Sequence, residues 1–279
     1  MQADGVYSIE QTYCDGSTPE VLTAAKCTVP IDVLRGSVFL HPWGSSIYAR
    51  VSAYNLYGYS EASSSGNGAV ILTYPDKPVN LQEVVAARSA TTITVLWEEG
   101  ATNGGDTVDG YRLWFDQAAD DFVILQPALS VLTFMAEDLT NGETYKFKVQ
   151  SFNSYGYSEF SDEVAILCAT APDQPAVPST SVFENTVVVQ WDAPADNGTP
   201  ILGYHLYLKK QDGTYAEELT DCDGSSSQIV ADTSCTVPLS TLTAEPFLLV
   251  QGAQVNVVVS AYNAYGESAL SEVGGGALI

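Results

Sequence analysis

The sequence predicts an all-β chain: a string of antiparallel β-sandwiches, the first of them incomplete. Three observations predict it: a long internal repeat, proline-rich linkers that divide the repeat, and short β-branched runs closed by turn residues. A shift of 208 residues lays 1–71 on 209–279 without a gap, and about 30 of the 71 pairs are identical. Cys14 and Cys27 fall on Cys222 and Cys235, and Ser52-Ala-Tyr-Asn55 falls on Ser260-Ala-Tyr-Asn263. Pro75-Asp-Lys-Pro78 returns 97 residues later as Pro172-Asp-Gln-Pro175. Proline fixes φ and removes a donor, so this P-D-x-P stops a strand and spaces its neighbours semi-rigidly. The linkers set three pieces, 1–75, 76–172 and 173–279, and the two longer ones are each the size of one sandwich.

Within the pieces the elements follow in order. In the middle piece Thr92–Trp97 is a β-branched strand ending in tryptophan, and Asn103-Gly-Gly105 turns the chain into Gly110–Phe115. Tyr145–Phe152 alternates with period two and puts Tyr145, Phe147 and Val149 on one face. The last piece repeats the order with Thr186–Trp191, a turn at Asn197-Gly198, and Gly203–Leu208. Trp97 and Trp191 are core residues on this reading. No window shows helical periodicity, so no helix is expected.

Taken together, these motifs resemble fibronectin type III domains. The family's features are a tryptophan closing strand B, a Pro/Asn/Gly turn, a tyrosine on strand C, and A-x-N-x-x-G-x-S at the F–G turn. They match Trp97, Tyr111 and Ser151-Phe-Asn-Ser-Tyr-Gly-Tyr-Ser158 in the middle piece, and Trp191, Tyr204 and Ala261-Tyr-Asn-Ala-Tyr-Gly-Glu-Ser268 in the last. The first piece has only the closing motif, Ala53-Tyr-Asn-Leu-Tyr-Gly-Tyr-Ser60. The resemblance implies an immunoglobulin-like sandwich with Tyr145 as its tyrosine corner. Val255 and Ile47 stand at that position in the other pieces, where apolar packing must hold the corner. No Arg-Gly-Asp is present, which leaves an integrin-type loop unsupported.

The first piece lacks a counterpart of residues 173–208, where the last piece has strands A, B and C. Half a sandwich exposes its core and its edges. A head-to-tail match between identical chains would need spare strands at the tail, yet Gly276-Ala-Leu-Ile279 aligns with the last strand of the first piece. The expectation is therefore a window on a longer array that continues the 208-residue period in both directions.

Composition narrows the function. Acidic residues outnumber basic ones 34 to 10, a formal charge of −24, which excludes a general phosphate-backbone binder and disfavours anionic lipid surfaces. No apolar run approaches the roughly 20 residues of a membrane helix. His41 and His205 stand 164 residues apart, and no nucleophile motif, Walker loop or dinucleotide fingerprint occurs. The expectation is no enzyme and no cofactor, with Ca²⁺ as the one candidate ion.

Cys14/Cys27 and Cys222/Cys235 each enclose 12 residues. Equal spacing in two repeats is what a hairpin disulfide gives, with buried free thiols or a zinc site as the alternatives. Disulfides place the chain outside the cell or on its surface. Cys168 aligns with Ile71 and is either a buried small apolar residue or a bridge to another chain. Asp116, Asp120 and Asp121 crowd one loop, as a solvated charged loop or a Ca²⁺ site. Asn197-Gly-Thr199 is an N-glycosylation sequon that also reads as a turn. Ser63-Ser-Ser65 and Ser225-Ser-Ser227 are small polar turns open to O-linked sugar. Trp43 is either an exposed contact or packs over its own loop. The reading that unites these features is a structural repeat of a stalk, filament or matrix fibre. Its partners are copies of itself, neighbouring repeats and, as a further candidate, glycans. The rival is an adhesion or receptor module that binds a protein or glycan through its loops.

Overall fold

The computed structural model describes residues 1–279, with Asn67 described by its backbone alone. The first piece carries α1 (Pro19–Ala24), α2 (Ile31–Arg35), β1 (Ser46–Ala49), β2 (Tyr54–Asn55), β3 (Gly58–Tyr59) and β4 (Gly66–Val70). The middle piece carries β5 (Val79–Glu83), β6 (Ile93–Glu98), β7 (Gly110–Phe115), β8 (Val123–Leu129), β9 (Thr133–Ala136), β10 (Thr144–Asn153), β11 (Gly156–Tyr157) and β12 (Val164–Leu167). The last carries β13 (Ser179–Phe183), β14 (Thr186–Gln190), β15 (Gly203–Lys209), β16 (Tyr215–Glu217), α3 (Ser227–Asp232), β17 (Ser234–Pro238), α4 (Leu239–Thr243), β18 (Val257–Asn263) and β19 (Gly266–Glu267). The fold is an all-β sandwich fold.

By contacts the chain divides into two compact units. One is Met1–Gln82, Leu96–Phe134 and Lys146–Val164; the other is Glu83–Val95, Met135–Tyr145 and Ala165–Ile279. The division passes through the middle piece. Each linker lies inside a unit, because its backbone is hydrogen-bonded to loops around it.

In the first unit, β1 pairs with β4 and β2 with β3, both antiparallel. The larger sheet runs β11-β10-β7-β8, with Val149 opposite Leu113 and Ser151 opposite Tyr111. Alternation along β10 buries Phe147 and Val149 while their neighbours stay half-exposed, the period-two pattern of a strand with one buried face. Trp97 meets Tyr111 edge-on at 5.7 Å between ring centroids, a geometry favoured by the aromatic quadrupole. Burial, and next the Glu99 charge, push the Tyr111 phenol up to about 12.

In the second unit the last piece is a complete sandwich. One sheet runs β13-β14-β17 and the other β16-β15-β18-β19. Val187, Val189 and Val237 share one core with Leu206, Leu208, Val257 and Val259 of the second sheet. Burying each such side chain contributes about 1.5–3 kcal/mol. Trp191 packs edge-on to Tyr204 at 5.1 Å.

Three expectations need correction. Among the described residues the chain does contain helices, four α-helices of five or six residues each and a 3-10 turn at Val85–Ala87. They are too short to leave a periodic stripe. Two of them rest on local caps: Ser226 Oγ accepts from Ile229 N at 3.3 Å, and Thr18 Oγ1 accepts from Val21 N at 3.5 Å. The cysteine insert is correspondingly not a β-hairpin, because α1 and α3 lie between the paired sulfurs. The corner at Val255 also uses more than apolar packing. Thr180 Oγ1 donates to Val255 O at 3.1 Å and accepts from Ala277 N at 2.9 Å. In the middle piece Tyr145 holds its corner through the hydroxyl, which accepts from Thr140 N at 3.0 Å.

Candidate functional site

The most built-up polar features are two clamps on the linkers. At the first linker Thr73 N donates to Gly104 O and Asp76 N to Thr102 O, each at 2.9 Å. At the second, Thr170 N donates to Asn197 O and Asp173 N to Ala195 O, each at 3.0 Å. An asparagine on the β10–β11 or β18–β19 turn then reaches in. Asn153 Nδ2 donates to Thr73 O and Asn103 O, both at 2.9 Å, while its Oδ1 accepts from Tyr155 N at 2.9 Å. Asn263 Nδ2 donates to Thr170 O at 2.8 Å and Asp196 O at 2.9 Å, and its Oδ1 accepts from Tyr265 N at 2.8 Å. Both asparagines are buried, so each serves as donor and acceptor where water has no access.

An aromatic ring completes each clamp. Tyr155 lies edge-on against Tyr74 of the linker at 4.9 Å. Tyr265 lies under Arg88, whose guanidinium is 4.4 Å from the ring centre and is held by both oxygens of Glu83 at 2.9 and 2.6 Å. The Glu83 hydrogen bond raises the Arg88 pKa further. The A-x-N-x-x-G motif was legible as a turn. That its asparagine ties down the linker was not, since nothing local in the sequence says what stands beside the turn.

In the first piece the corresponding turn is bare. Asn55 Oδ1 still accepts from Tyr57 N at 2.8 Å, but Asn55 is exposed, and Leu56 and Tyr57 are 101 % and 98 % exposed.

Cys14 is bonded to Cys27 and Cys222 to Cys235, with Cα atoms 5.2 and 5.4 Å apart. Cys168 is fully buried, and its Sγ donates to Ala90 O at 3.3 Å. Burial, and next the Glu83 charge, push its thiol pKa up. With this burial and hydrogen bond, Cys168 fits the first of its two readings, a buried small apolar residue, rather than a bridge to another chain. It fills the place of a buried aliphatic residue, as Ile71 does; Gly44 N donates to Ile71 O and Gly142 N to Cys168 O in the same way.

The calcium candidate is also corrected. Asp116 is buried, and its Oδ1 accepts from Ala118 N at 3.0 Å and Lys146 N at 2.9 Å. Asp120 is paired with the Lys146 ammonium. Among the described residues no group of three His, Cys, Asp or Glu is placed to hold a metal ion. Asn197 has its amide nitrogen engaged, donating to Ala171 O and Asp173 Oδ1 at 2.9 Å each, so a sugar there would break the second clamp. Trp43 is half-buried beneath the Arg35 guanidinium at 4.0 Å, packed over its own loop. Ser63 Oγ accepts from Val51 N, and Ser225 Oγ donates to Asp223, so both serine turns carry structural bonds.

A profile of the fibronectin type III domain matches residues 76–166. The human fibronectin type-III domain-containing protein 3A is 27 % identical over 219 residues, covering 72 % of this chain and 17 % of its own length. Mouse protein sidekick-2 is 29 % identical over 184 residues, covering 59 % and 8 %. The tyrosine-protein phosphatase Lar-like of Caenorhabditis elegans is 27 % identical over 184 residues, covering 60 % and 8 %. The chain thus spans less than a fifth of the length of these relatives. Fibronectin type III domains occur in adhesion and receptor proteins.

Proposed function

We propose that this chain, whose residues 76–166 are a fibronectin type III domain, is a non-catalytic structural segment of a secreted or cell-surface protein that builds a stalk, filament or matrix fibre. One observation carries the reading: the linker clamp is built twice from the same parts. A linker threonine, a loop carbonyl and a turn asparagine meet at 2.8–3.0 Å in both places. Pinned linkers of one design join successive repeats in one way, which suits a regular array.

Two disulfides favour an oxidising compartment, and the charge of −24 keeps a dense assembly soluble. No helix among the described residues is long and apolar enough to cross a membrane. Partners on this reading are further repeats of the same kind. The second reading, an adhesion or receptor module, draws on the exposed aromatic turn of Tyr54, Tyr57 and Tyr59 and on the occurrence of this domain type in such proteins. Negative-stain imaging of the native protein separates the two. Long regular fibres are expected; isolated short particles that bind a glycan or protein through the 54–59 turn would overturn the structural reading.

A further inference from the structure

We infer that copies of this chain dock on one another through two unlike sheet faces: the cationic and aromatic outer face of β7, β8 and β10 in the middle piece, and the carboxylate-bearing outer face of β15, β16, β18 and β19 in the last. The inference deepens the fibre reading by naming the surfaces, and it rests on that reading for the premise that copies associate.

The first face is the solvent side of a sheet whose other side is core. Leu113, Phe147 and Val149 are buried, so Arg112, Trp114, Lys148 and Gln150, which alternate with them, point the other way. Lys148 stands opposite Trp114 and Gln150 opposite Arg112, while Trp114 has Ile124 on its other side. Aromatic rings gather around the cations. Lys148 Nζ lies 3.6 Å from the Phe122 ring centre and 4.4 Å from that of Phe160, which meets Trp114 edge-on at 5.7 Å. Arg112 lies 3.7 Å over the Tyr157 ring and donates to its hydroxyl. Phe160, Tyr157 and Ile124 are exposed.

What this face lacks is an anion. In a chain with 34 acidic residues, neither Arg112 nor Lys148 is paired with a carboxylate among the described residues. Arg112 Nε has no hydrogen-bond partner, so the guanidinium has donor capacity left. Stacking on a ring holds each charge in place without neutralising it.

The last piece carries anions at the same places. Tyr111 corresponds to Tyr204 and Tyr145 to Val255, which sets Arg112 on His205, Trp114 on Tyr207, Lys148 on Val258, Gln150 on Ser260 and Tyr157 on Glu267. The strand pairing agrees. Tyr207 stands opposite Val258 and, on its other side, opposite Glu217, where Trp114 has Lys148 and Ile124. His205 Nδ1 lies 2.6 Å from Glu217 Oε1, and Glu267 Oε1 accepts from Ser260 Oγ at 2.5 Å. Glu267 is exposed and Glu217 half-exposed. Two cations on one face thus answer two carboxylates on the other, and each face has a half-buried ring, Trp114 or Tyr207, at its centre.

Exposed ion pairs contribute little alone, so the rings carry the affinity while the charges choose the partner. Like faces are rejected, because two cationic or two acidic faces repel. Contact between unlike faces is heterologous. Every chain has one of each, so docking leaves a face free at either end and growth continues, as a ring or as an open filament.

Sedimentation velocity at about 0.15 M sodium chloride, where the Debye length is about 8 Å and long-range repulsion is screened, reads this association. Arg112→Glu with Lys148→Glu, and separately Glu217→Lys with Glu267→Lys, should each weaken it about 10-fold or more. The first pair makes the chain more acidic than its formal −24 and the second less, so general repulsion would move the two in opposite directions. Mixing the two variants should restore association, because each keeps the face that the other has lost. Carbodiimide coupling of the native chain is a second measurement that needs no variant. A mixture of light and isotope-labelled copies should yield Lys148 joined to Glu217 or Glu267 in mixed-isotope cross-links. A native chain that stays monomeric, association that survives both pairs of substitutions, or mixed-isotope cross-links that omit Lys148 would each overturn the inference. Fibres that persist in both variants overturn it while leaving the fibre reading in place. Paired copies that are lost in both variants, with no fibre in the native protein, support the docking faces and overturn the fibre reading alone.

Discussion

Asn153 and Asn263 show how one side chain acts at the residue scale. Each amide faces two carbonyls that have lost water, and removing it leaves both acceptors unmet. Leaving a buried group unsatisfied costs about 1–3 kcal/mol. Asn153→Ala and Asn263→Ala are therefore each expected to lower the denaturant midpoint by that amount without changing the slope, whereas Asn55→Ala, on an exposed turn, should be close to neutral. Equal effects at all three positions would show that the turn itself, not the linker bond, is what the asparagine serves. Cys168 gives a second expectation. With its thiol buried and its pKa raised, little thiolate forms at pH 8, and alkylation of the folded protein should leave it unmodified while the unfolded protein takes one label. A third concerns pH. The Asp15 and Asp223 carboxyls are pulled below their ordinary range, first by the side chains of Ser17 and Ser225 and then by the same residues' amides. A carboxylate whose folded pKa is depressed stabilises above the unfolded value of about 3.9 and loses that contribution as pH falls through the lower folded value. Carboxyl NMR titration should find both midpoints below those of Asp15 and Asp223 in the Ser17→Ala and Ser225→Ala variants.

Between residues and the whole, the repeated elements show what a strand needs beyond its own sequence. Val-Ser-Ala-Tyr-Asn occurs at 51–55 and 259–263, yet only the second run is strand throughout, because only there does β15 supply partners. The strands with apolar alternation or a closing tryptophan were legible for this reason: their period reports a face that is in fact buried, as in β6, β10 and β14. The short helices were not, since one turn and a half leaves no period to detect. The corner at Val255 was half legible: its apolar residue stood in the sequence, but Thr180, 75 residues away, gives no local sign of its bond. Loop glycines carry a further expectation. Gly105 has φ +91°, and a Cβ there would sit 2.2 Å from Gly44 N; Gly198 has φ +95°, and a Cβ would sit 2.5 Å from Gly142 N. Backbone atoms cannot yield as side-chain tips do. Gly105→Ala and Gly198→Ala should thus each cost at least the roughly 1–3 kcal/mol of a strained backbone, measurable as a lower melting temperature. Gly213→Ala, at φ +86° with open space around it, should cost only the conformational part.

For the molecule as a whole the governing quantity is charge. A formal −24 over 279 residues makes copies repel, and the range of that repulsion is set by salt. The Debye length is about 30 Å at 0.01 M and about 8 Å at 0.15 M, so lateral approach of acidic chains is opposed far more strongly in dilute buffer. If the function is to pack alongside copies of itself, association should rise with sodium chloride, and rise again as pH falls toward the isoelectric point near 4.1. Sedimentation velocity across both series reads this directly. Calcium sharpens the test, because no trio of carboxylates is gathered among the described residues and Asp116 is already committed to backbone amides. Calcium chloride at matched ionic strength should act as sodium chloride does, by screening. Association that ignores ionic strength would remove electrostatic restraint from the account, and a calcium effect well beyond the matched salt would mean that carboxylates of separate chains bridge through the ion.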